Sequence, residues 1–199
     1  HEIVIIDNLL SGKMENIQPF LNAKNVEYVH GSITDLASLK KTFEGADGIF
    51  HEAAIVSVPR SVEYPVENHE INLSGTLNVL VAARDCGVTK VVFASSAAIY
   101  GNNPVLPKHE SMTPDLLSPY AVSKQAGEQY CSVFSRLYGL QCTSLRYFNV
   151  FGPRQDPNSP YSGVITKFVS NSLSHRPIVI YGDGHQTRDF VYVKDVVQA

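Results

Sequence analysis

Apolar and polar positions alternate along the chain with two different periods. Apolar runs rich in β-branched residues predict strands at 3–6, 26–29, 48–50, 91–94, 142–148 and 177–181. Between them, apolar residues recur with helical spacing near 35–44, 66–86, 119–138 and 162–173. Strands that alternate with helices predict an α/β fold, with a parallel sheet covered by helices on both faces.

A change in composition at residues 151–163 (FGPRQDPNSPYSG) predicts a boundary between two parts of the chain. A Pro- and Gly-rich connection of this length is usually functional or joins two lobes. We therefore divide the chain into 1–150 and 151–199. A strand begins at the first residue, and Asp195 is a candidate N-cap for a helix with only one turn of sequence left. We expect the sequence to be a fragment of a longer protein.

Composition and charge narrow the class of partner. The 199 residues, 44% of them hydrophobic, carry a net charge of −3 with no Lys/Arg block, which argues against nucleic acid or an acidic membrane surface. The apolar runs are too short to span a membrane. Cys86, Cys131 and Cys142 have no metal or redox spacing, and the histidines form no H-x-x-H pair. We expect a cytoplasmic protein without a metal site.

The segment SPYAVSK at residues 118–124 predicts the start of a helix. Ser118 is a favourable N-cap and Pro119 suits the first helical position. Tyr120 and Lys124 are four residues apart, so their side chains share one face of that helix. A solvent-exposed Tyr/Lys pair has the same spacing, and this segment alone does not decide between the two interpretations.

Ligands of open α/β sheets bind at the carboxyl ends of the strands, which draws attention to SSAAIYG at 95–101. Ser96 precedes Tyr120 by 24 residues, on the neighbouring strand–helix unit. By themselves, Ser95 and Ser96 would be hydroxyls that satisfy backbone groups at a strand end. Combined with Tyr120 and Lys124, they form a Ser–Tyr–Lys set that resembles the short-chain dehydrogenase/reductase superfamily.

Further segments resemble one branch of that superfamily. HEAAIVSVPRS, INLSGTLNVL, SSAAIYG, SPYAVSK, LRYFNVFGPRQ and YGDGHQTRDFVYVKDV follow one another across the chain. Together they resemble the NAD-dependent nucleotide-sugar epimerases and dehydratases, and among these the UDP-hexose 4-epimerases. The resemblance implies a Rossmann-like doubly wound parallel sheet in 1–150 that binds NAD, and part of a smaller substrate-binding lobe in 151–199. It also implies a UDP-sugar substrate and a homodimer formed by the helices near 66–86 and 119–138.

The resemblance implies a catalytic role for Ser96, Tyr120 and Lys124. Tyr120 would take the proton of the sugar 4-hydroxyl, Ser96 would hold that hydroxyl, and Lys124 would hold the nicotinamide ribose. A free tyrosine has a pKa near ~10, so a base at pH ~7 requires about 4 kcal/mol of preferential stabilisation of the phenolate. We expect Lys124 and Ser96 to lower the pKa of Tyr120 by that route.

The resemblance also implies the cofactor contacts. Asp7 matches the acidic residue that holds the adenosine ribose of NAD; the alternative is a turn residue before Asn8. Ser32 replaces an Asp that is common beside adenine. The Gly-rich turn that precedes the acidic residue in this family does not occur in this sequence. The implied cofactor residues are Asp7, Asn8, Ser11, Gly12, Ser32, Ile33, Ala53, Ala54, Ile55, Asn72, Tyr120, Lys124 and Phe148.

For the substrate, the resemblance implies that Arg188 and Asn149 contact the diphosphate, which suits the charge-assisted bonds of an arginine. Ala97 and Ala98 follow Ser96, where dehydratases carry an Asp-Glu pair or a Glu, and methyl groups transfer no protons. We therefore favour a 4-epimerase; a dehydratase or decarboxylase and a non-catalytic NAD-binding relative are the alternatives. The implied substrate residues are Ser57, Ser96, Asn149, Gly163, Tyr181 and Arg188.

Overall fold

The computed structural model describes residues 1–157 and 163–199. Its strands are β1 (Ile3–Asp7), β2 (Val26–His30), β3 (Gly48–His51), β4 (Lys90–Ser96), β5 (Gln141–Tyr147), β6 (Asn149–Phe151) and β7 (Phe190–Tyr192). Its α-helices are α1 (Met14–Ile17), α2 (Leu36–Phe43), α3 (Val58–Glu63), α4 (Pro65–Asn68), α5 (Gly75–Asp85), α6 (Pro119–Tyr138), α7 (Val164–Leu173) and α8 (Val193–Gln198). Two 3₁₀ turns, Gln18–Phe20 and Ala97–Tyr100, and a π-helical turn, His69–Ser74, complete the set.

The strands pair in parallel, which confirms the predicted α/β class. Ile3 of β1 pairs with Val26 of β2, and Gly48 of β3 pairs with Lys90 of β4. The hydrogen bonds form three sets, β1–β2, β3–β4–β5 and β6–β7, instead of the one continuous sheet that we expected. The reason is that no strand among the described residues pairs with both β1 and β3.

The chain divides into two compact units, His1–Arg146 and Tyr147–Ala199. This division falls slightly before the boundary expected after residue 150. The assignment of the two parts to cofactor and substrate stays a prediction. In the first unit, α5 packs against α2 and α6, and α6 packs against β4. The side chains of Leu39, Leu80, Phe93 and Phe134 fill the core between these elements.

Helix α6 begins and ends where the sequence predicts. The Ser118 hydroxyl accepts the backbone N–H of Ala121, and Pro119 occupies the first turn. Gly139 ends the helix in the left-handed conformation (φ 71°), which a residue without a Cβ adopts at low cost. The 20-residue helix therefore carries Tyr120 and Lys124 on a well-defined N-terminal segment.

The predicted helix at 66–86 is a composite of α4, a π-helical turn and α5. The π-helical turn, His69–Ser74, widens the helix by one residue per turn, a feature that often occurs at functional sites. The preceding helix α3, which we did not predict, begins after Ser57, whose hydroxyl accepts the N–H of Arg60.

In the second unit, the strand predicted at 177–181 is wrong. These residues form no regular secondary structure, and Ile178, Val179 and Ile180 are exposed. β-branched residues favour a strand only where a neighbouring strand can pair with them, and this segment has none among the described residues. Helix α8 begins after Tyr192, so Asp195 lies in its first turn and is not the N-cap that we expected. The predicted helix at 162–173 is α7, and residue 162 lies outside the described residues.

Candidate active site

The N-terminal part of α6 places Tyr120 and Lys124 in the interior of the first unit. Tyr120 is 8% exposed and Lys124 is 4% exposed, so the exposed-pair interpretation of the Y-x-x-x-K segment is wrong. The Lys124 Nζ lies 5.8 Å from the centroid of the Tyr120 ring and 5.1 Å from that of Phe93. An ammonium at this distance from aromatic faces is attracted by both rings.

Lys124 is fixed by a hydrogen bond to the backbone of β4. Its Nζ donates to the Ala94 carbonyl oxygen over 2.7 Å. Burial lowers the pKa of Lys124 to about 8, and the nearby Glu52 carboxylate opposes this effect. The Lys124 side chain is thus still mostly protonated at neutral pH, but it loses its proton at a pH much closer to neutrality than an ordinary lysine does.

Ser96, the last residue of β4, reaches Tyr120. The Ser96 Oγ accepts the N–H of Ala98, which opens the 3₁₀ turn Ala97–Tyr100 and leaves the hydroxyl proton to donate elsewhere. A hydrogen bond between the Ser96 and Tyr120 side chains lowers the pKa of Tyr120, yet burial, the larger effect, raises it.

We expected Lys124 and Ser96 to bring the pKa of Tyr120 toward neutrality, and in this structure that expectation is wrong. The pKa of Tyr120 lies above its ordinary value because the phenol is buried, and Lys124 is not among the groups that shift it. The Lys124 ammonium donates to the Ala94 carbonyl, and its Nζ lies 5.8 Å from the centroid of the Tyr120 ring. Ser96, Tyr120 and Lys124 are brought together, but this geometry does not activate the phenol.

A largely buried ion pair lies next to the site, one turn further along α6. The Ser95 hydroxyl donates to Glu128 Oε1 over 2.5 Å, and Arg146 donates to both oxygens of Glu128 over 2.9 and 2.8 Å. The side chains of Arg146 and Glu128 are only 15% and 12% exposed. Because Glu128 lies one turn after Lys124, this bidentate pair fastens α6 to β5 and to the end of β4 next to Ser96.

The residues expected to hold adenosine lie after β1. One carboxylate oxygen of Asp7, Oδ1, accepts the N–H of Leu9 over 2.6 Å, as the turn interpretation predicts. The other oxygen, Oδ2, faces Gly12, where an added Cβ would lie 3.1 Å away. Asn8, Ser11 and Gly12 are exposed beside it. Asp7 therefore forms the turn with one oxygen and presents the second to an open surface.

The other cofactor candidates lie after β2 and β3. Ser32 is half-buried, whereas Ile33 is buried against Gly75, where an added Cβ would be 2.6 Å from the isoleucine. Ala53 is exposed and Ala54 is half-buried, so the backbone of this loop remains accessible. Asn72 does not face an open surface.

The Asn72 side chain instead fixes the backbone of the loop after β3. Its Oδ1 accepts the N–H of Ile55 over 2.8 Å, and its Nδ2 donates to the Ile55 carbonyl over 2.9 Å. Both residues are buried. A direct contact of Asn72 or Ile55 with a cofactor stays a prediction.

The expected substrate residues are divided between the two units. Ser57 is buried in the first unit as the cap of α3. In the second unit, Asn149 Nδ2 donates over 2.8 Å to the carbonyl of Asp189, the residue that follows Arg188. Arg188 and Tyr181 are exposed, Gly163 precedes α7, and Phe148 is half-buried between β5 and β6. Their substrate and cofactor contacts stay predictions.

Sequence reasoning missed three residues that contact this site. Ser61 accepts the N–H of Tyr120, Asn68 donates to the Pro119 carbonyl, and Glu128 holds Ser95. Glu128 follows Lys124 by one helical turn, and Asn68 precedes Asn72 by the same interval, so polar residues at helical spacing on a buried face were an available signal. Ser61 gave no comparable signal.

Within residues 1–157 and 163–199, no three His, Cys, Asp or Glu side chains converge as a metal site would require. None of the helices in the described part of the chain is long and apolar enough to cross a membrane. The three cysteines are free thiols.

A parallel α/β unit that places a half-buried Ser96 beside the buried Tyr120 and Lys124 defines the class as that of the short-chain dehydrogenases and reductases. Within that class, the chain belongs to the NAD-dependent epimerase/dehydratase family, whose profile matches residues 1–199.

Relatives and solved structures cover essentially the whole chain. It is 42% identical over 201 residues to a putative UDP-glucose 4-epimerase of Methanocaldococcus jannaschii, covering 100% of this chain and 64% of that protein. It is similar to the structure of the UDP-N-acetylglucosamine 4-epimerase of Methanobrevibacter ruminantium M1 in complex with UDP-N-acetylmuramic acid (TM-score 0.94, 46% identity, 99% of this chain and 63% of that one). It is also similar to the structure of the Thermus thermophilus UDP-glucose 4-epimerase in complex with NAD (TM-score 0.86, 41% identity, 98% of this chain and 64% of that one). The chain thus spans about 64% of the length of the curated relatives it matches.

Proposed function

We propose that the protein is an NAD-dependent UDP-hexose 4-epimerase, an isomerase that interconverts UDP-glucose and UDP-galactose, and their N-acetylated forms, through a transient 4-keto sugar. The observation that carries the proposal is the pair of buried side chains Tyr120 and Lys124 beside a half-buried Ser96, which Ala97 and Ala98 follow in the chain. Its similarity to epimerases of both plain and N-acetylated hexoses supports the same function.

The described residues suit NAD on two observations. The open Oδ2 of Asp7 beside Gly12 offers a carboxylate acceptor for the ribose hydroxyls, and such a charge would repel a 2′-phosphate. The buried ammonium of Lys124 offers a hydrogen-bond donor for the hydroxyls of the nicotinamide ribose. Bound NAD would supply the acceptor for the hydride of the sugar C4 carbon. The loop of Ala53, Ala54 and Ile55 would hold it with backbone groups.

The protein's own residues would then move one proton. Tyr120 would accept the proton of the sugar 4-hydroxyl, and the Ser96 hydroxyl would hold that oxygen and donate to the phenolate. Burial raises the pKa of Tyr120, so the phenolate requires additional positive charge nearby before it forms at neutral pH. Lys124, whose pKa is about 8, is still mostly protonated at neutral pH. Redirecting its ammonium from Ala94 toward Tyr120 would provide the missing charge.

The substrate would be held through its UDP group. Arg188 would donate to the diphosphate, Asn149 would lie beside it, and Gly163 and Tyr181 would line the uridine. Ser57 would lie near the hexose. Relatives with solved structures that contain UDP-linked sugars support this part of the proposal.

Ala97 and Ala98 distinguish the epimerase from the alternative of a lyase. Elimination of water across C5–C6 of a 4-keto sugar requires an acid and a base over the ring, and methyl groups provide neither. The absence of a Glu after Ser96 argues in the same way against a decarboxylase that uses that residue. The intact Ser–Tyr–Lys set argues against a non-catalytic relative.

The test is to incubate full-length protein with UDP-glucose and with UDP-N-acetylglucosamine and to analyse the sugars by NMR. Formation of the 4-epimers supports the proposal. A 4-keto-6-deoxy sugar, a pentose, or no product at all would contradict it.

Tyr120→Phe tests the assigned proton transfer. Since general acid–base groups typically contribute about 10²- to 10⁴-fold, we expect kcat to fall by that range while the melting temperature stays near wild type. Near-normal turnover of a folded Tyr120→Phe protein would remove Tyr120 as the base.

The assembly we propose is a cytoplasmic homodimer. Free thiols at all three cysteines suit a reducing compartment. Helix α6 exposes apolar side chains at Val122 (48%), Val133 (43%) and Leu137 (69%), which a partner subunit would cover. Light scattering of the full-length protein should give twice the chain mass; a monomer at micromolar concentration would contradict this assignment.

A further inference from the structure

The peptide group between Pro119 and Tyr120 is held at both of its polar ends by side chains from elsewhere in the fold. Its N–H, that of Tyr120, donates to the Ser61 Oγ over 3.1 Å. Its carbonyl, that of Pro119, accepts from Asn68 Nδ2 over 3.1 Å. Ser61 lies on α3 and Asn68 ends α4, and both are buried, at 0% and 3% exposure.

These two contacts complete the cap of α6. The first N–H groups of a helix have no partner within the helix, and Pro119 has no N–H at all. The Ser118 hydroxyl accepts the N–H of Ala121. The N–H of Tyr120 is therefore the first amide of the helix that requires a partner from elsewhere in the fold. The Ser61 hydroxyl proton is donated to the Val58 carbonyl over 2.7 Å, so a lone pair of its oxygen is available to the Tyr120 N–H. Without Ser61, this buried amide would be unsatisfied at a helix end, where fraying begins.

The same contacts extend to the loop after β3. Asn68 Oδ1 accepts from Asn72 Nδ2 over 2.8 Å, and Asn72 holds both backbone groups of Ile55. Asn68 therefore donates to the first turn of the Tyr120 helix and accepts from Asn72, the residue that holds the Ile55 loop. The π-helical turn begins directly after Asn68, so the wide turn separates the two asparagines that make this connection.

We propose that Ser61 and Asn68 are positioning residues for Tyr120. Neither contacts the reacting hydroxyl; they fix the peptide group from which the Tyr120 side chain projects, and thereby the position of the phenol beside Ser96 and Lys124. The proposal rests on the proposed role of Tyr120 in proton transfer. It deepens that role by naming what holds the phenol in place.

The experiment uses the full-length protein and the variants Ser61→Ala and Asn68→Asp. Asn68→Asp retains an acceptor for Asn72 but replaces the donor to Pro119. The matched control is Ser135→Ala, which removes a serine hydroxyl that accepts a backbone N–H, that of Cys142 over 3.3 Å, near the other end of α6. The two measurements are kcat and KM for UDP-glucose, and the pH titration of Tyr120 in ¹³Cζ-tyrosine-labelled protein.

In the labelled protein, the Tyr120 resonance is assigned by its loss in Tyr120→Phe. We expect kcat to fall about tenfold in each of the two variants with KM within about twofold, because misplacement of a reacting group affects the chemical step. Burial raises the pKa of Tyr120 in the wild type, so a released phenol should titrate closer to the ordinary value of tyrosine. Ser135→Ala should change neither quantity.

The results separate the two proposals. A wild-type protein without epimerase activity would overturn the proposed function, and the NMR titration would still decide whether Ser61 and Asn68 position the phenol. Wild-type kcat together with an unchanged Tyr120 titration in Ser61→Ala and Asn68→Asp would overturn the positioning role. Equal losses in Ser135→Ala would do the same, because they would reveal a general effect on stability. Should Asn68→Asp fail to fold, Ser61→Ala carries the test alone.

Discussion

Replacing Lys124 by methionine should stabilise the protein at neutral pH while it removes the activity. The ammonium is 4% exposed, and burial lowers the pKa of Lys124 from 10.5 to about 8. At 1.36 kcal/mol per pKa unit, keeping the charge in this site costs about 3 kcal/mol relative to the unfolded chain. Methionine has a similar length without the charge. It leaves the Ala94 carbonyl without its donor, a loss of about 1–3 kcal/mol, so we expect a small net stabilisation.

The pH dependence of the unfolding free energy separates the contribution of the Lys124 charge from the other effects of the substitution. Because the folded-state pKa of Lys124 is depressed, the unfolded chain binds more protons, and wild-type stability rises as the pH increases through 8 toward 10.5. Between pH 7 and pH 9.5 the wild type should gain about 2 kcal/mol relative to Lys124→Met. Urea unfolding of both proteins at pH 7, 8, 9 and 9.5 measures this difference, in which all other titrating groups cancel.

Two outcomes would refute this reasoning. If the difference in unfolding free energy between the two proteins does not change with pH, Lys124 does not have a depressed pKa. If Lys124→Met is less stable than the wild type by several kcal/mol at pH 7, the hydrogen bond to Ala94 and the aromatic contacts outweigh the cost of burial.

Two further predictions concern contacts of α6. Glu128→Ala should destabilise the protein by about 3 kcal/mol in urea unfolding, because it removes the bidentate carboxylate partner of Arg146, whose side chain is only 15% exposed. Glu67→Ala, which breaks the more exposed pair with Arg60, should change stability little; equal losses in the two variants would contradict burial as the cause. Gly127→Ala should cost roughly 1–3 kcal/mol in thermal unfolding despite the better helix propensity of alanine, because the new Cβ would lie 2.6 Å from the buried Phe93 ring; a stabilised variant would show that the ring can move.

Local patterns in the sequence predicted what depends on local interactions. Helix α6 was predicted from its first to its last residue because Ser118 and Pro119 specify its start and Gly139 permits its end. The caps of the helix require only neighbours in the chain. The Ser–Tyr–Lys set was recognised by its resemblance to the short-chain dehydrogenases and reductases, supported by the helical spacing of Tyr120 and Lys124 and by the position of Ser96 at a strand end.

Features that depend on distant partners were not predicted. The contact of Ser61 with Tyr120 joins residues 59 apart, and that of Asn68 with Pro119 joins residues 51 apart. The pKa of Tyr120 was expected to fall because its cationic neighbour was known from spacing, while its burial and the alternative bond of Lys124 to Ala94 depend on tertiary packing. The segment at 177–181 failed for the same reason, since a strand requires a partner that its own residues do not specify.

The wide turn at His69–Ser74 restricts how the length of this helix can change in evolution. Deleting one of the residues between Asn68 and Asn72 would reduce their separation from four residues to three. The hydrogen bond from Asn72 to Asn68 depends on that spacing, so the backbone of the Ile55 loop would lose its link to the first turn of α6. Single-residue insertions and deletions should therefore be far less tolerated in this stretch than in the surface connections of the same protein.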